Sequence, residues 1–169
     1  MANNDVVLSQ KMGDESVFSN INSMLTQGNI TFRSIHHEAT CTSEESARVR
    51  NEDLSIGGKA ILMKIDDKFQ LLVLSASKRT DSKKIKEFFK VKKIRFATSE
   101  ELLQLTNLVP GSVPPFGHPI LPFNLFVDNT IVENERIAFN AGLLTDSIVM
   151  TVKEYLNVAK PTVFKFSLN

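Results

Sequence analysis

Apolar residues recur at i, i+4, i+7 and i+8 in Val17, Ile21, Met24 and Leu25, the spacing of one helix face. Asp14 stands at the N-cap position and Gly28 where such a helix should stop, so a helix is predicted between them. Residues 30–35 follow as a strand. Thr42 and Glu45 have capping-box spacing, which opens a short helix from 43 to about 51. Two apolar β-type runs, 59–65 and 69–75, are joined across Asp66, Asp67 and Lys68 and predict a hairpin. Asp81 can cap a helix that buries Ile85, Phe88 and Phe89 and turns its lysines to water.

A strand is predicted over 93–97, and Thr98 with Glu101 repeats the capping-box spacing before Leu102, Leu103 and Leu105. Residues 109–117, Val-Pro-Gly-Ser-Val-Pro-Pro-Phe-Gly, cannot continue a helix or a central strand. Beyond them lie a strand at 123–127 and a turn at Asp128 and Asn129. Residues 135–139 lead into a polar break at Asn140, Ala141 and Gly142, followed by a strand at 147–150. Thr151 with Glu154 opens a last helix to 158, Pro161 stops it, and 162–166 add an edge strand. Many short strands with interspersed helices and a hairpin predict an α+β fold rather than a doubly wound parallel sheet. The length of 169 residues, with no repeat or linker, predicts a single domain.

Composition adds little to this: 42% hydrophobic and 23% charged residues are those of a soluble globular chain. Cys41 is the single cysteine, so no internal disulfide is possible. Met1 to Asp5 lack the pattern of a signal peptide, and no apolar run approaches the roughly 20 residues of a membrane span. A cytoplasmic protein with no membrane partner is expected. Charge changes the picture more. Between Lys78 and Arg95 lie nine cations against only Asp81 and Glu87, on a chain of net charge +1. Such a block serves a phosphate-backbone contact or a solvated helix face.

The chemistry begins with the 109–117 loop. Prolines fix φ and glycines permit close approach, so its unpaired backbone groups point in fixed directions and can grip a small polar group. A rigid connector would have the same composition. Gly57-Gly58-Lys59 opens an apolar strand with a cation, which suits either a phosphate-binding cleft or a strand edge protected from aggregation. His36, His37, Glu38 and Cys41, with His118, lack the spacing of a closed ligand set, so no metal and no other cofactor is expected.

The segments "FRSIHHEATCTSEES", "GGKAILMKI", "RFATSEELLQLTNLVPGSVPPFG" and "IAFNAGLLTDSIVMTVKEYL" occur in the order found in the YbaK/prolyl-tRNA-editing-domain family. From about residue 14 the whole chain resembles that family, which hydrolyses wrongly charged aminoacyl-tRNAs in trans. The resemblance implies a single editing domain over 14–169 behind an N-terminal extension of residues 1–13. Its fold would be α+β, with a mixed, partly barrel-like sheet and flanking helices. Lys59 matches the family's functional lysine, and Gly111-Ser112-Val113-Pro114 matches its Gly-x-x-Pro loop, doubled by Pro115. Asn140 stands where members that remove alanine carry histidine, which takes away a proton acceptor. The doubled proline, "HHEAT" and "IAFNAG" look most like the free-standing branch acting on serine- and threonine-charged tRNAs. Asn107 departs from the glycine usual in the family after Leu-Thr.

The resemblance implies catalytic roles for Lys59, Gly111, Ser112 and Asn140. Phe32, His37, Val113, Pro114, Pro115 and Phe116 would contact the substrate, and Lys83, Lys84 and Lys86 the tRNA backbone. The implied partner is the acceptor end of mischarged tRNA, with transient association with an aminoacyl-tRNA synthetase. A substrate-assisted route through the ribose hydroxyl goes with the missing base. The other reading is a module of the same fold that binds an aminoacyl end or a nucleotide without turnover.

Overall fold

Residues 11–169 are described by the computed structural model. The run Leu71-Leu72-Val73-Leu74 organises them. It lies in β3, Lys68–Ser75. Leu71 and Val73 enter the larger of two cores, Leu72 and Leu74 the smaller. A strand buried on both faces needs no polar alternation, hence its unbroken hydrophobicity. β3 pairs antiparallel with β2, Gly58–Ile65, across a turn where Asp66 takes φ 55°. β4, Ile94–Phe96, continues the sheet beyond β2. On the other side β5, Leu125–Val127, and β8, Thr162–Val163, add in parallel.

The second sheet is antiparallel throughout: β1, Phe32–His36, then β7, Asp146–Thr151, then β6, Arg136–Leu143. The two sheets meet where Gly57 bridges Ala138. Among the described residues the expected partly barrel-like sheet is therefore two sheets of five and three strands, and not a closed barrel.

Among the described residues six α-helices pack around them: α1, Glu15–Gln27; α2, Ser43–Arg50; α3, Ser82–Phe89; α4, Ser99–Thr106; α5, Asn129–Val132; and α6, Val152–Ala159. Asp14 caps α1, which buries Val17, Ile21 and Leu25. Thr98 and Glu101 form the full reciprocal capping box on α4. Thr42 and Thr151 cap their helices, but the Glu45 carboxylate reaches the Cys41 N–H instead.

Several expectations are corrected. Asn140, Ala141 and Gly142 do not break the chain, because β6 runs through them with a bulge before Leu143. Gly142 takes φ 87°, and a Cβ there would stand 2.9 Å from Val17 Cγ1, so glycine lets α1 lie on the strand. Its carbonyl accepts the Asp14 N–H at 2.9 Å. Met12 and Gly13, assigned to the extension, already pair with Leu144 and Leu143. Residues 1–10, which carry the rest of that extension and the signal-peptide reading, lie outside the described residues. Phe88 is not buried: it is 43% exposed and stacks on Phe164 at 3.8 Å. The strand expected over 123–127 begins only at Leu125, and that over 162–166 ends at Val163, because Phe123 and Phe166 turn into the two cores.

The expected turn at Asp128 is an N-cap of unusual reach. The buried Asp128 carboxylate accepts the Thr130 N–H and hydroxyl on one oxygen, and the Phe166 and Ser167 N–H groups on the other. Burial works to raise its pKa, and these four hydrogen bonds outweigh it, leaving the pKa below the ordinary aspartate value. A depressed native pKa contributes stability that is complete above the unfolded value, about 4, and is lost as pH falls below it. Asp128→Ala should lower stability by about 2–4 kcal/mol at pH 7, through two buried N–H groups left without acceptors. In urea melts the gap to wild type should narrow as the pH is taken below about 4.

Candidate functional site

A cavity of about 240 Å³ opens where β2 begins, walled by α2 and residues 40–42, by Gly57 to Ala60, by Gly111 and Val113, and by Asn140. The two glycines let the walls approach. A Cβ on Gly58 would stand 2.7 Å from Ile137 Cδ1, and one on Gly57 3.0 Å from the Ala76 Cβ. Lys59 follows directly and reaches the cavity. Its Nζ donates to the Lys78 carbonyl at 2.8 Å, keeping further N–H groups for a ligand. Burial lowers its pKa, Arg79 lowers it further, and Glu44 opposes them.

Arg50 forms the back of the site and was not singled out from the sequence. It is 7% exposed, yet no carboxylate pairs with it among the described residues. Its Nε donates to Ser147 Oγ at 2.8 Å and an Nη to Asn140 Oδ1 at 3.0 Å. Burial pulls its guanidinium down to about 10, against the opposing pull of Glu52. A signal existed: α2 reads Ser-Glu-Glu-Ser-Ala-Arg-Val-Arg, with no apolar stripe, so polar contacts must anchor it.

Asn140 lies opposite Ser147 in the β6–β7 register, and Ser147 Oγ donates to its Oδ1 at 3.0 Å. With Arg50 as second donor, both lone pairs of that oxygen are filled. The Asn140 amide donates to the Gly111 carbonyl at 2.8 Å, leaving one N–H. The side chain can therefore donate to a ligand but has no acceptor to offer it.

Lys59, Gly111, Val113 and Asn140 are brought together at the cavity; other expected residues lie elsewhere. Ser112 is fully buried, its hydroxyl donating to the Val109 carbonyl and accepting the Val109 N–H, so it pins the loop. Pro114 and Pro115 are buried, and Pro115 accepts the Tyr155 hydroxyl at 2.6 Å. Phe116 packs edge-on against Phe139 and Tyr155 in the core. Phe32 packs at the edge of the same core. His37 stands behind the wall, its Nε2 2.7 Å from Ser147 Oγ. Lys83 is exposed on α3, as is the start of the basic segment near Lys59, while Lys84 is turned to the Ser167 carbonyl at 2.8 Å rather than to water. Lys86 is half-buried in the last turn of α3. Among the described residues no three His, Cys, Asp or Glu side chains converge as a metal-binding group.

The profile of the Aminoacyl-tRNA editing domain matches residues 37–158. The Multifunctional Ser/Thr-tRNA deacylase ProXp-y of Escherichia coli is 31% identical over 149 residues, which are 85% of this chain and 88% of that protein. The proline–tRNA ligase of Macrococcus caseolyticus is 23% identical over 108 residues, 64% of this chain but 19% of the ligase. The crystal structure of a proposed trans-editing enzyme for prolyl tRNA synthetase has a TM-score of 0.77 at 21% identity, covering 90% of this chain and 98% of that one. This last is a likeness of fold.

The fork of Arg50 holds two acceptors at once, which the single ammonium of lysine cannot do. Arg50→Lys should lower stability by about 1–3 kcal/mol in urea melts. It should also move the NMR resonances of the Asn140 side-chain amide. An unmoved Asn140 amide would mean that the strand pairing alone fixes that side chain.

Proposed function

Since the chain belongs to the aminoacyl-tRNA editing domain family, we propose that it is a trans-acting deacylase of the serine/threonine type, hydrolysing the ester of mischarged tRNA. The observation that carries the reading is the cavity itself, which holds a half-buried cation at its mouth and a fixed hydrogen-bond donor at its back. The name of the Escherichia coli relative supports the amino-acid class. A binding module without turnover is not favoured, because that relative, aligned over 85% of the chain, is a deacylase.

An aminoacyl ester is already activated, so positioning a water and stabilising the oxyanion suffice. Lys59 takes the terminal phosphate and sets the ribose, with the ester laid against Gly111 and Val113. The free N–H of Asn140 donates to an oxygen, either the developing oxyanion or the serine side-chain oxygen. With its own oxygen filled, Asn140 is not the base. The adjacent ribose hydroxyl then guides the water. Water adds to the carbonyl carbon, the ester C–O bond breaks, and the proton passes to the ribose oxygen, releasing the amino acid and intact tRNA. Lys83 and Lys86 meet acceptor-stem phosphates, contacts that position without reading sequence. Lys84 serves less well, being held by the C-terminal segment. The match to part of a proline–tRNA ligase supports a transient association with a synthetase.

Lys59→Ala should reduce kcat/KM by about 10²–10³ while leaving the thermal melt unchanged. Full activity of that variant on the best substrate would remove Lys59 from the mechanism.

The amino-acid reading is tested with tRNAs charged with serine, threonine, alanine and cysteine, beside correctly charged controls. Serine and threonine should be removed fastest. Asn140→Ala should then slow serine removal more than alanine removal, since a polar pocket discriminates against the substrate lacking the hydroxyl. Equal losses would place Asn140 on the oxyanion, the ribose or the water rather than on the serine side-chain oxygen. Preference for alanine or cysteine would move the specificity but keep the reaction.

A further inference from the structure

A second cavity of about 280 Å³ lies beside the first and shares Ala60, Gly111 and Val113 with it. No charged side chain lines it. Its own walls include Ile61 and Leu62 of β2, Leu102 of α4 and Pro110 of the loop, with Phe96 also on the wall. Phe96 is 58% exposed, the highest value among the large hydrophobic side chains described. Phe88, also exposed, is covered by Phe164, whereas Phe96 has no ring against it among the described residues. The backbone beneath Phe96 is fixed. It pairs with Met63, the Ala97 N–H donates to the Leu62 carbonyl at 2.9 Å, and Arg95 is forked onto Glu101 at 2.7 and 2.9 Å.

We infer that this groove receives the adenine base of the tRNA's 3′-terminal nucleotide, stacked on Phe96; the inference rests on the deacylase reading of the first cavity. In the substrate the ester and the base hang from the same ribose, so a base site must adjoin the ester site. β2 provides that adjacency. Lys59 faces the first cavity, Ala60 borders both, and Leu62 lies in the second, a path of about 10 Å along the strand. That is the scale of a nucleoside. Charge divides the ligand in the same way. The phosphate belongs beside Lys59, and the hydroxyl-bearing amino acid beside Asn140. The uncharged, mostly apolar groove, with the Thr98 and Ser99 hydroxyls on its wall and an open aromatic face, fits a flat, uncharged heterocycle with polar edges. Base stacking on an aromatic side chain is strong enough to be read by alanine substitution.

The test has two arms. In the first, deacylation of serine-charged tRNA is measured for wild type, Phe96→Ala and Phe96→Tyr, with melts to confirm folding. Phe96→Ala should raise KM by at least about fivefold, more than it lowers kcat, and Phe96→Tyr should restore it. In the second, adenosine 5′-monophosphate and ribose 5-phosphate are titrated into the protein by NMR. The nucleotide should bind wild type more tightly and perturb Ala97 and Leu102, and that advantage should vanish in Phe96→Ala. A KM for Phe96→Ala indistinguishable from wild type, or equal binding of the two probes to wild type, overturns the base site. A wild type inert toward every mischarged tRNA overturns the deacylase reading instead, and the NMR arm still decides whether the groove holds a base.

Discussion

A guanidinium taken out of water costs several kcal/mol unless other polar groups replace its hydration. Arg50 meets that constraint without a carboxylate, through Ser147 and Asn140, which lie 97 and 90 residues further along the chain. The back wall of the cavity follows from this. α2, otherwise without an apolar face, is held to the β6–β7 hairpin, and the Asn140 oxygen is filled so that its amide must turn to Gly111. Positions 50 and 140 are therefore coupled energetically. A histidine at 140 would offer at most one ring nitrogen to the two donors, Arg50 and Ser147, that now share the Asn140 oxygen.

The front wall owes its rigidity to anchors more than to its prolines. Ser112 ties the loop to Val109, the Tyr155 hydroxyl holds the Pro115 carbonyl, and Phe116 is wedged between Phe139 and Tyr155. Only Pro110 and Gly111 remain at the surface of the stretch from 110 to 116. The loop thus presents Gly111 and the edge of Val113 to both cavities.

Much of this was legible because it is local. Caps at Asp14, Thr42, Asp81, Thr98 and Thr151 fix helix starts through groups two or three residues away, and two apolar runs flanking Asp66 to Lys68 mark the hairpin. Lys59 and the loop of Gly111 stood out by residue type and were given roles, with Asn140, by resemblance, and the fold brings them to one cavity. What escaped depends on distant partners. Asn140 to Gly142 look like a break until α1 is seen lying against Gly142. Ser112 counts as a site residue through its loop until its burial is known, and Lys84 looks like a free cation until the C-terminal segment arrives beside it. Arg50 is one arginine among several, and its burial is decided by strands far along the chain. Phe88 and Phe96 were not separable by type: one is covered by a ring and the other is not.

The Asp128 clamp also bears on the order in which the molecule can be made. A chain emerging during synthesis presents Asp128 well before its partners, Phe166 and Ser167, which follow 38 and 39 residues later. Until then the carboxylate has only the Thr130 groups, β5 has no β8 beside it, and the smaller core lacks Phe164 and Phe166. The Arg50 wall closes earlier, once Ser147 has emerged. Vectorial synthesis therefore supplies the residues of the cavity first and the last strand of the five-stranded sheet afterwards. The half of the molecule around α3 stays open on a nascent chain that already holds every residue of the site.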